Sequence, residues 1–329
     1  MSEPSNLPMS VEFKDQRPGL IAFGIVEIVL GGLCALMALL ASLALVLESR
    51  TGSGLEWRAI APAVAAYIAL SVIFVWLGVG SILCRRWARV LLLIVSWSVL
   101  LVGVTSMVYF VIFVRALAAA RAADSQEAFV MLAVVEVLLA IFTVVLPGAM
   151  VLFYRRRHVK ATCEARDPVI RWTDACPLPV LATSLWFVVG GLWFLAMPLM
   201  YGSVVPLFGV LVSGTKATVM ILAGSALWIY LAWATYRLKI AGWWTALVAF
   251  ALFSVSAAIT FLKVDLMEMY RRLGYPEEQI DQIRSLGVFT GRIVVWWTIL
   301  FFLLFLIYLL WIKKYFRAAG DSSAAAPTQ

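Results

Sequence analysis

The chain has 329 residues, of which 64% are hydrophobic and only 13% are charged. A soluble domain with this balance would aggregate, so the composition indicates a membrane protein. Its four cysteines, 21 glycines and 12 prolines are too few and too scattered for a disulfide scaffold, a collagen-like fibre or a disordered chain. The class that remains is an α-helical protein that crosses the membrane several times.

Eight continuous apolar runs are long enough to cross a membrane, since about 20 helical residues cover roughly 30 Å of hydrocarbon. They do not alternate with a period of two, as the strands of a membrane β-barrel do. The first run is too long for the apolar region of a signal peptide and no small-residue cleavage site follows it, so we expect it to remain in the mature protein. The runs extend over residues 20–46, 59–83, 90–114, 129–153, 180–201, 218–236, 243–262 and 293–312.

Lysine and arginine residues indicate the orientation, because loops on the cytoplasmic side of a membrane carry an excess of them. Of the 26 such residues, 16 lie in segments on the side of the two termini and 10 lie on the opposite side. Both termini are therefore predicted to be cytoplasmic. The same rule explains the net charge of +8 without a nucleic-acid partner, and it makes the lipid bilayer the first expected partner.

The sequence indicates an internal duplication with four spans in each half, although apolar helices also align by chance. Because each half enters the membrane from the same side, the repeats would be parallel, unlike the inverted repeats of many transporters. We therefore predict an all-α integral membrane protein with about eight transmembrane helices, arranged as two parallel four-helix repeats. A shift of 159 residues aligns Pro18 with Pro177 and Gly31 and Gly32 with Gly190 and Gly191, and a shift of 152 residues aligns Trp76 with Trp228 and Arg85 with Arg237.

The predicted organisation has five parts. They are a cytoplasmic N-terminal segment at 1–17, a first four-helix membrane unit at 18–158, a basic cytoplasmic linker at 159–176, a second four-helix membrane unit at 177–317 and a disordered tail at 318–329. The second unit includes an outer helical hairpin at 263–292, in which Gly274 ends one helix and Pro276 opens the next. We expect this hairpin, whose charges balance, to rest on the membrane surface or on a partner.

A basic turn follows the second span, where residues 78–90 read GVGSILCRRWARV. Trp87 suits the headgroup level of a membrane, and Arg85, Arg86 and Arg89 are predicted to meet anionic lipid phosphates as interface anchors. The pattern G-x-G-x(4)-R-R-W-A-R resembles a turn in uncharacterised bacterial multi-pass membrane proteins. This resemblance implies a bacterial cytoplasmic membrane, and it implies no particular activity.

The spans contain two charged residues, Glu27 in the first and Glu136 in the fourth. Each shares a helix face on which neighbouring helices can pack closely, so both side chains are predicted to point into the bundle. In one interpretation the carboxyl groups line a polar path or bind a cation or a proton. In the other, each is protonated or hydrogen-bonded to a neighbouring helix and serves packing, since no lysine or arginine lies within a span. The residues that share these faces are Gly24, Gly31, Ala35 and Ala38 around Glu27, and Ala133, Ala140, Thr143 and Pro147 around Glu136.

Prolines predict backbone irregularities at membrane depth, where other protein groups or water must satisfy the freed carbonyls. Pro147 and Gly148 are expected to kink the fourth span, and Pro198 is expected to bend the fifth. These hinge candidates serve either packing or gating. The interrupted stretch 203–213 is expected either to lie at the outer interface or to re-enter the membrane.

Catalytic, metal-binding and cofactor-binding residues are not predicted. The single histidine, His158, lies within a basic run that would repel a metal ion, and its spacing to Cys163 and Cys176 matches no familiar zinc site. The sequence also lacks a glycine-rich phosphate-binding loop and a paired acid and base in a soluble domain. No disulfide is expected, because none of the cysteines is predicted on the oxidising side.

The predicted function is therefore not enzymatic. We predict a structural or accessory subunit that packs against another membrane protein or against a second copy of itself. The alternative is a small-solute or proton-coupled transporter that uses Glu27 and Glu136. A membrane enzyme acting on lipid is a third class, and the missing catalytic set counts against it.

Overall fold

The computed structural model describes residues 14–51, 57–119, 126–200, 202–285 and 290–324, and these residues are almost entirely helical. Eight of the described helical segments are long and apolar enough to cross a membrane. Such segments become helices because hydrocarbon offers no partner for backbone N–H and C=O groups, which a helix satisfies internally. The prediction of an all-α multi-pass membrane protein is thereby confirmed. The segments are Arg17–Leu47, Ile60–Ile82, Arg86–Val114, Val130–Tyr154, Leu178–Pro198, Thr215–Tyr236, Ile240–Lys263 and Gly291–Arg317.

Long helices alternate with short helices and turns in both halves of the chain. The first half contains α1 (Arg17–Thr51), α2 (Trp57–Ile82), α3 (Arg86–Ala119), α4 (Gln126–Ala140), a π-helical turn (Ile141–Val145), α5 (Leu146–Tyr154), α6 (Arg157–Arg166) and a 3₁₀ turn (Trp172–Asp174). The second half contains α7 (Leu178–Met200), β1 (Val204–Leu207), β2 (Val210–Ser213), α8 (Thr215–Tyr236), α9 (Ile240–Lys263), α10 (Leu266–Arg272), α11 (Glu277–Ser285) and α12 (Gly291–Ala324).

The described residues divide into two compact units. One comprises those within Met1–Val102 and Ile141–Asp174, and the other comprises those within Gly103–Ala140 and Ala175–Gln329. The sequence placed the boundary in the linker alone, whereas the later part of α3 and all of α4 belong to the second unit. Buried side chains of the first unit include Leu20, Leu77, Leu92, Tyr154 and Val159. The core of the second unit contains Phe187, Leu231, Ala232 and Ala246, packed against Trp228, Phe250 and Phe305.

The turns that follow α2 and α8 share one backbone geometry. Cys84 and Leu238 both have a left-handed φ of 53°. In each turn the next amide, that of Arg85 or Lys239, donates at 2.9 Å to the carbonyl five residues earlier, which closes the helix end. The two turns align at a shift of 154 residues. This shift pairs Arg85 with Lys239, whereas the sequence alignment paired Arg85 with Arg237.

The fourth span is irregular at the π-helical turn Ile141–Val145, directly before Pro147. Proline lacks an N–H group and its ring clashes with the carbonyl four residues earlier, so the preceding turn widens. Pro147 itself is buried, whereas a side chain on Gly148 would meet no atom within 4 Å. The helix α7 continues through Pro198 to Met200, since a single proline there removes only one backbone hydrogen bond.

The stretch 203–213 forms a two-stranded antiparallel β-hairpin, a structure that neither sequence interpretation included. Its two-residue turn has positive φ at Phe208 (43°) and Gly209 (98°), as hairpin turns of this length favour. The Phe208 amide donates to Ser256 Oγ and the Gly209 amide donates to Thr260 Oγ1, both at 3.0 Å. Hydroxyl groups of α9 thus satisfy the backbone of the hairpin tip.

The loop between α9 and α12 contains the two short helices α10 and α11. Asp265 caps α10, because its carboxylate accepts a hydrogen bond from the Met267 amide at 3.2 Å. Gly274 has a φ of 88°, which allows the chain to reverse between the two helices. The Arg272 guanidinium donates to the Leu211 carbonyl at 2.9 Å, so this loop is tied to the β-hairpin.

The last helix is longer than the sequence predicted. We expected disorder from residue 318, but α12 continues to Ala324. Alanine is the strongest helix former, and residues 318, 319 and 324 are alanines, so the helix extends beyond the apolar run. The remaining residues of the predicted tail, 325–329, lie outside the described residues.

Candidate functional site

The candidate site in the first unit is built on a close crossing of α1 and α2. A Cβ on Gly24 would lie 2.7 Å from the carbonyl oxygen of Gly78, and a Cβ on Gly78 would lie 2.7 Å from that of Gly24. A Cβ on Gly31 would lie 3.0 Å from the carbonyl oxygen of Ser71. Only glycine allows the two backbones to approach this closely.

Glu27 lies beside this crossing, about one helical turn after Gly24. Its side chain is only 2% exposed, so it points into the unit, and the Cβ position on Gly78 is 3.1 Å from its own Cβ. Among the described residues, Glu27 Oε2 is buried and has no hydrogen-bond partner. An unsatisfied buried carboxyl oxygen costs free energy, and a water molecule, a cation or a ligand group is the kind of partner that would satisfy it.

A buried polar chain lies nearer to the terminus side of the same unit. Ser81 Oγ donates to the Leu20 carbonyl at 2.9 Å and lies 2.7 Å from the Tyr154 hydroxyl. Because Ser81 has one proton to give, Tyr154 donates to it. Arg89 donates to the Tyr154 carbonyl at 3.0 Å, and Leu20 precedes Glu27 by about 10 Å of helix. The described hydrogen bonds of Ser81, Tyr154 and Arg89 therefore lie on the terminus side of Glu27 and do not include its carboxyl group.

Glu136 lies in the second unit, on α4. The residue is half-buried, and its Oε2 atom is fully buried without a hydrogen-bond partner among the described residues. It lies one turn from Leu139 on the same helix face. The two acidic residues predicted from the sequence therefore belong to different units.

The basic turn between α2 and α3 pairs with carboxylates of the protein. Asp167 is 2% exposed and lies 3.6 Å from a guanidinium nitrogen of Arg85 and 3.6 Å from one of Arg171. It also accepts a hydrogen bond from the backbone N–H of Arg86 at 3.3 Å, at the start of α3. We call Asp167, Arg85 and Arg171 the Asp167 cluster. The cluster holds the turn against the segment that follows α6.

The other predicted interface anchors also have protein partners. Arg86 forms ion pairs with Glu164 and Asp174, both at 3.5 Å. Trp87 stacks on Trp76 with ring centroids 4.2 Å apart. The sequence predicted lipid phosphates as the partners of these arginines. It did not reveal that the linker folds back onto the turn and supplies carboxylates of the protein.

The basic linker is a folded part of the first unit. Val159 and Cys163 of α6 are buried, and Thr162 Oγ1 accepts a hydrogen bond from the Gln16 amide at 3.1 Å. Burial raises the pKa of the Cys163 thiol to about 12 and that of Cys176 to about 11. Both thiols are therefore protonated at neutral pH, which disfavours them as nucleophiles or metal ligands.

The described ranges contain no group of three or more histidine, cysteine or acidic side chains that could hold a metal ion. His158 is exposed at the start of α6.

A shallow groove of about 300 Å³ runs between α1 and α2 on the surface of the first unit. Ala38 is buried in it at 5% exposure, whereas Ala35 is exposed on the same face. Small side chains line much of this groove, and such surfaces allow another helix to approach closely. We call it the α1–α2 groove. Its lining residues are Ala35, Ala38, Leu39, Ser42, Ile68, Ser71 and Val72.

Sequence reasoning missed the Asp167 cluster and the hydrogen-bonded Ser81–Tyr154 pair. Two signals were present: Asp167 precedes a proline just after a strongly basic run, and Tyr154 is the last residue of the fourth span before Arg155. Neither signal identifies a partner, since Ser81 and Tyr154 are 73 residues apart and Arg86 and Asp167 are 81 apart.

Comparison of the chain with protein-family models, with curated proteins and with solved structures finds no match. The resemblance of the basic turn to bacterial multi-pass membrane proteins therefore stays a prediction.

Proposed function

We propose that this protein is a structural or accessory subunit of a bacterial cytoplasmic membrane, which packs against another membrane protein through the α1–α2 groove. The observation that carries the proposal is the groove itself. Helices in a membrane associate through close packing of small residues, because lipid supplies no hydrophobic force between them. The groove offers Ala35, Ala38, Ser42 and Ser71 to such a partner.

The weak burial of the first two spans supports this role. Only 11% of the most apolar part of the first span and 6% of that of the second are buried, compared with 33% for the fifth and sixth spans, and the eighth and fourth spans have the same low values of 11% and 6%. Apart from their mutual contact, α1 and α2 therefore leave most of their apolar surface to lipid or to another protein.

The proposal includes cytoplasmic termini, in accordance with the excess of lysine and arginine on that side. It also includes the internal duplication. Two hydrogen bonds with donors at equivalent positions support the duplication: Arg89 of α3 donates to the Tyr154 carbonyl, and Trp243 of α9 donates to the Leu309 carbonyl at 2.8 Å, one residue past the position equivalent to Tyr154. Arg89 and Trp243 are separated by the same 154 residues as the two left-handed turns.

Substitution of Ala35 by leucine is expected to abolish stoichiometric co-purification of the partner. The larger side chain fills the groove, while the fold tolerates it because Ala35 is exposed. The matched control is Ala44→Leu, an equally exposed alanine on α1 that lies about 2.5 turns away and therefore on the opposite face. The measurement is gentle extraction from the native membrane followed by mass analysis of the complex.

The control variant should keep the partner at wild-type stoichiometry. If the wild-type protein is extracted alone, or if Ala35→Leu and Ala44→Leu retain the partner equally, the groove is not the docking surface.

A second candidate function is proton-coupled transport, which is favoured by the carboxyl oxygens of Glu27 and Glu136 that have no hydrogen-bond partner among the described residues. In this case Glu27→Gln or Glu136→Gln should lower proton flux at least 10-fold in liposomes that contain a pH-sensitive dye and are driven by a potassium gradient with valinomycin. Glutamine keeps the shape of the side chain, so thermal stability should stay at the wild-type value. Wild-type flux in both variants would exclude this candidate.

A further inference from the structure

The second unit contains a cavity of about 1110 Å³. All of its lining residues lie on the membrane-crossing parts of α3, α4, α9 and α12, and ten of the 17 are aromatic. Tyr109 and Trp297 face each other in its wall with ring centroids 4.6 Å apart. Representative lining residues are Tyr109, Phe113, Phe250, Trp297, Phe301 and Phe305. We call it the aromatic cavity.

The chemistry of the wall disfavours ions and strongly polar solutes. Within the described part of the chain, no charged side chain lines the cavity. Of the few hydroxyl groups present, that of Thr298 already donates to the Val294 carbonyl of its own helix at 2.8 Å. The remaining polar groups of the wall are those of Ser106, Tyr109, Ser254, Trp296 and Trp297, so a strongly polar ligand would replace few of its hydrogen bonds to water, and each lost one is costly. An apolar occupant is therefore the one that the wall suits.

The dimensions of the cavity match one leaflet of a bilayer. Along α12 its lining residues extend from Ile293, near the start of the helix, to Phe305. This distance is about 18 Å at 1.5 Å per residue, close to the roughly 15 Å that is half of the hydrocarbon thickness. Because α12 begins after the loop opposite the termini, the cavity extends from that membrane surface to about the middle of the bilayer.

The residue that precedes the first lining residue of α12 is a cation. Arg292 precedes Ile293 at the start of α12 and is exposed. It is therefore in the headgroup region on the side opposite the termini, where an arginine can pair with a lipid phosphate.

We propose that the aromatic cavity binds the acyl chains of one phospholipid from the leaflet opposite the termini, with its phosphate at the level of Arg292. The volume of about 1110 Å³ is slightly above the roughly 300–1,000 Å³ of ligand pockets, as a long two-chain ligand requires. This inference does not depend on the proposed subunit role, since the lining residues that the structure describes include none from α1 or α2.

The proposal is tested by filling the cavity from two helices. Ser254→Phe on α9 and Thr298→Phe on α12 each add a ring to the wall. Their matched controls are Val255→Phe and Ile299→Phe, adjacent residues that are 51% and 40% exposed and do not line the cavity. Each purified protein is titrated with phosphatidylglycerol in mild detergent, and bound lipid is counted by native mass spectrometry.

Wild-type protein and both controls are expected to retain one phospholipid per chain, and each cavity variant should bind it at least 10-fold more weakly. The melting temperature of each variant is measured alongside. If a variant on one helix fails to fold, the cavity variant and control on the other helix decide the test. Equal retention by all five proteins, or no retained lipid in the wild type, overturns the proposal. So does a co-purifying protein that the cavity variants release.

Discussion

Alanine in place of Gly24 or Gly78 is expected to destabilise the first unit by about 1–3 kcal/mol, the usual cost of overpacking a well-packed contact. Each Cβ would lie 2.7 Å from a carbonyl oxygen of the facing helix. Backbone atoms cannot rotate away as a flexible side chain can, so α1 and α2 must separate. The measurement is the melting temperature of the purified protein in detergent.

Gly32→Ala is the matched control for this prediction. Gly32 lies on α1, as Gly24 does, and a Cβ at this position meets no atom within 4 Å. The control should therefore melt at or slightly above the wild-type temperature, because alanine favours a helix over glycine. If all three variants melt together, the close crossing of α1 and α2 does not exist in the membrane.

The same substitutions test the environment of Glu27. The Cβ position on Gly78 lies 3.1 Å from the Cβ of Glu27, so separation of the helices would admit water to its carboxyl group. If proton flux depends on the burial of Glu27, Gly78→Ala should reduce flux in the liposome assay, whereas Gly32→Ala should not.

Substitution of Asp167 by alanine is the second change with a large expected effect. Breaking a fully buried ion pair costs about 3–5 kcal/mol. Loss of the Asp167 cluster should destabilise the fold somewhat less, by about 2–3 kcal/mol, because the side chains of Arg85 and Arg171 are 41% and 39% exposed and thus partly solvated. The loss has two sources: two guanidinium groups lose their carboxylate, and the Arg86 amide loses its acceptor. Chemical denaturation followed by tryptophan fluorescence measures the change.

Asp167→Asn separates these two sources, since asparagine keeps an acceptor for the Arg86 amide while removing the charge. Its stability should lie between those of the wild type and Asp167→Ala. The control is Asp15→Asn, because Asp15 and its partner Arg166 form an exposed ion pair at 3.1 Å. No measurable change is expected there. Equal effects at positions 15 and 167 would show that the Asp167 cluster is an ordinary surface ion pair.

The eight spans and the inward direction of Glu27 were predictable because both depend on local properties. A long apolar run must be helical in hydrocarbon, whatever its neighbours are. Glu27 shares a face with Gly24 and Gly31, and a helix presents such a face to its neighbour at any packing angle. The structure agrees with both predictions, with Glu27 at 2% exposure.

The Asp167 cluster, the β-hairpin and the aromatic cavity were not predictable, because each depends on residues far apart in the sequence. Arg86 and Asp167 meet across 81 positions, and the tip of the hairpin is satisfied by hydroxyl groups that lie about 50 residues later, at Ser256 and Thr260. The hydrophobicity of a span reveals that it faces lipid or protein, but not which of the two it faces. The sequence by itself determined that this is an eight-span helical membrane protein with two acidic residues inside its spans. Only the tertiary structure decided which groups meet, because the partners of a charge, a strand or a cavity wall are chosen by packing in three dimensions.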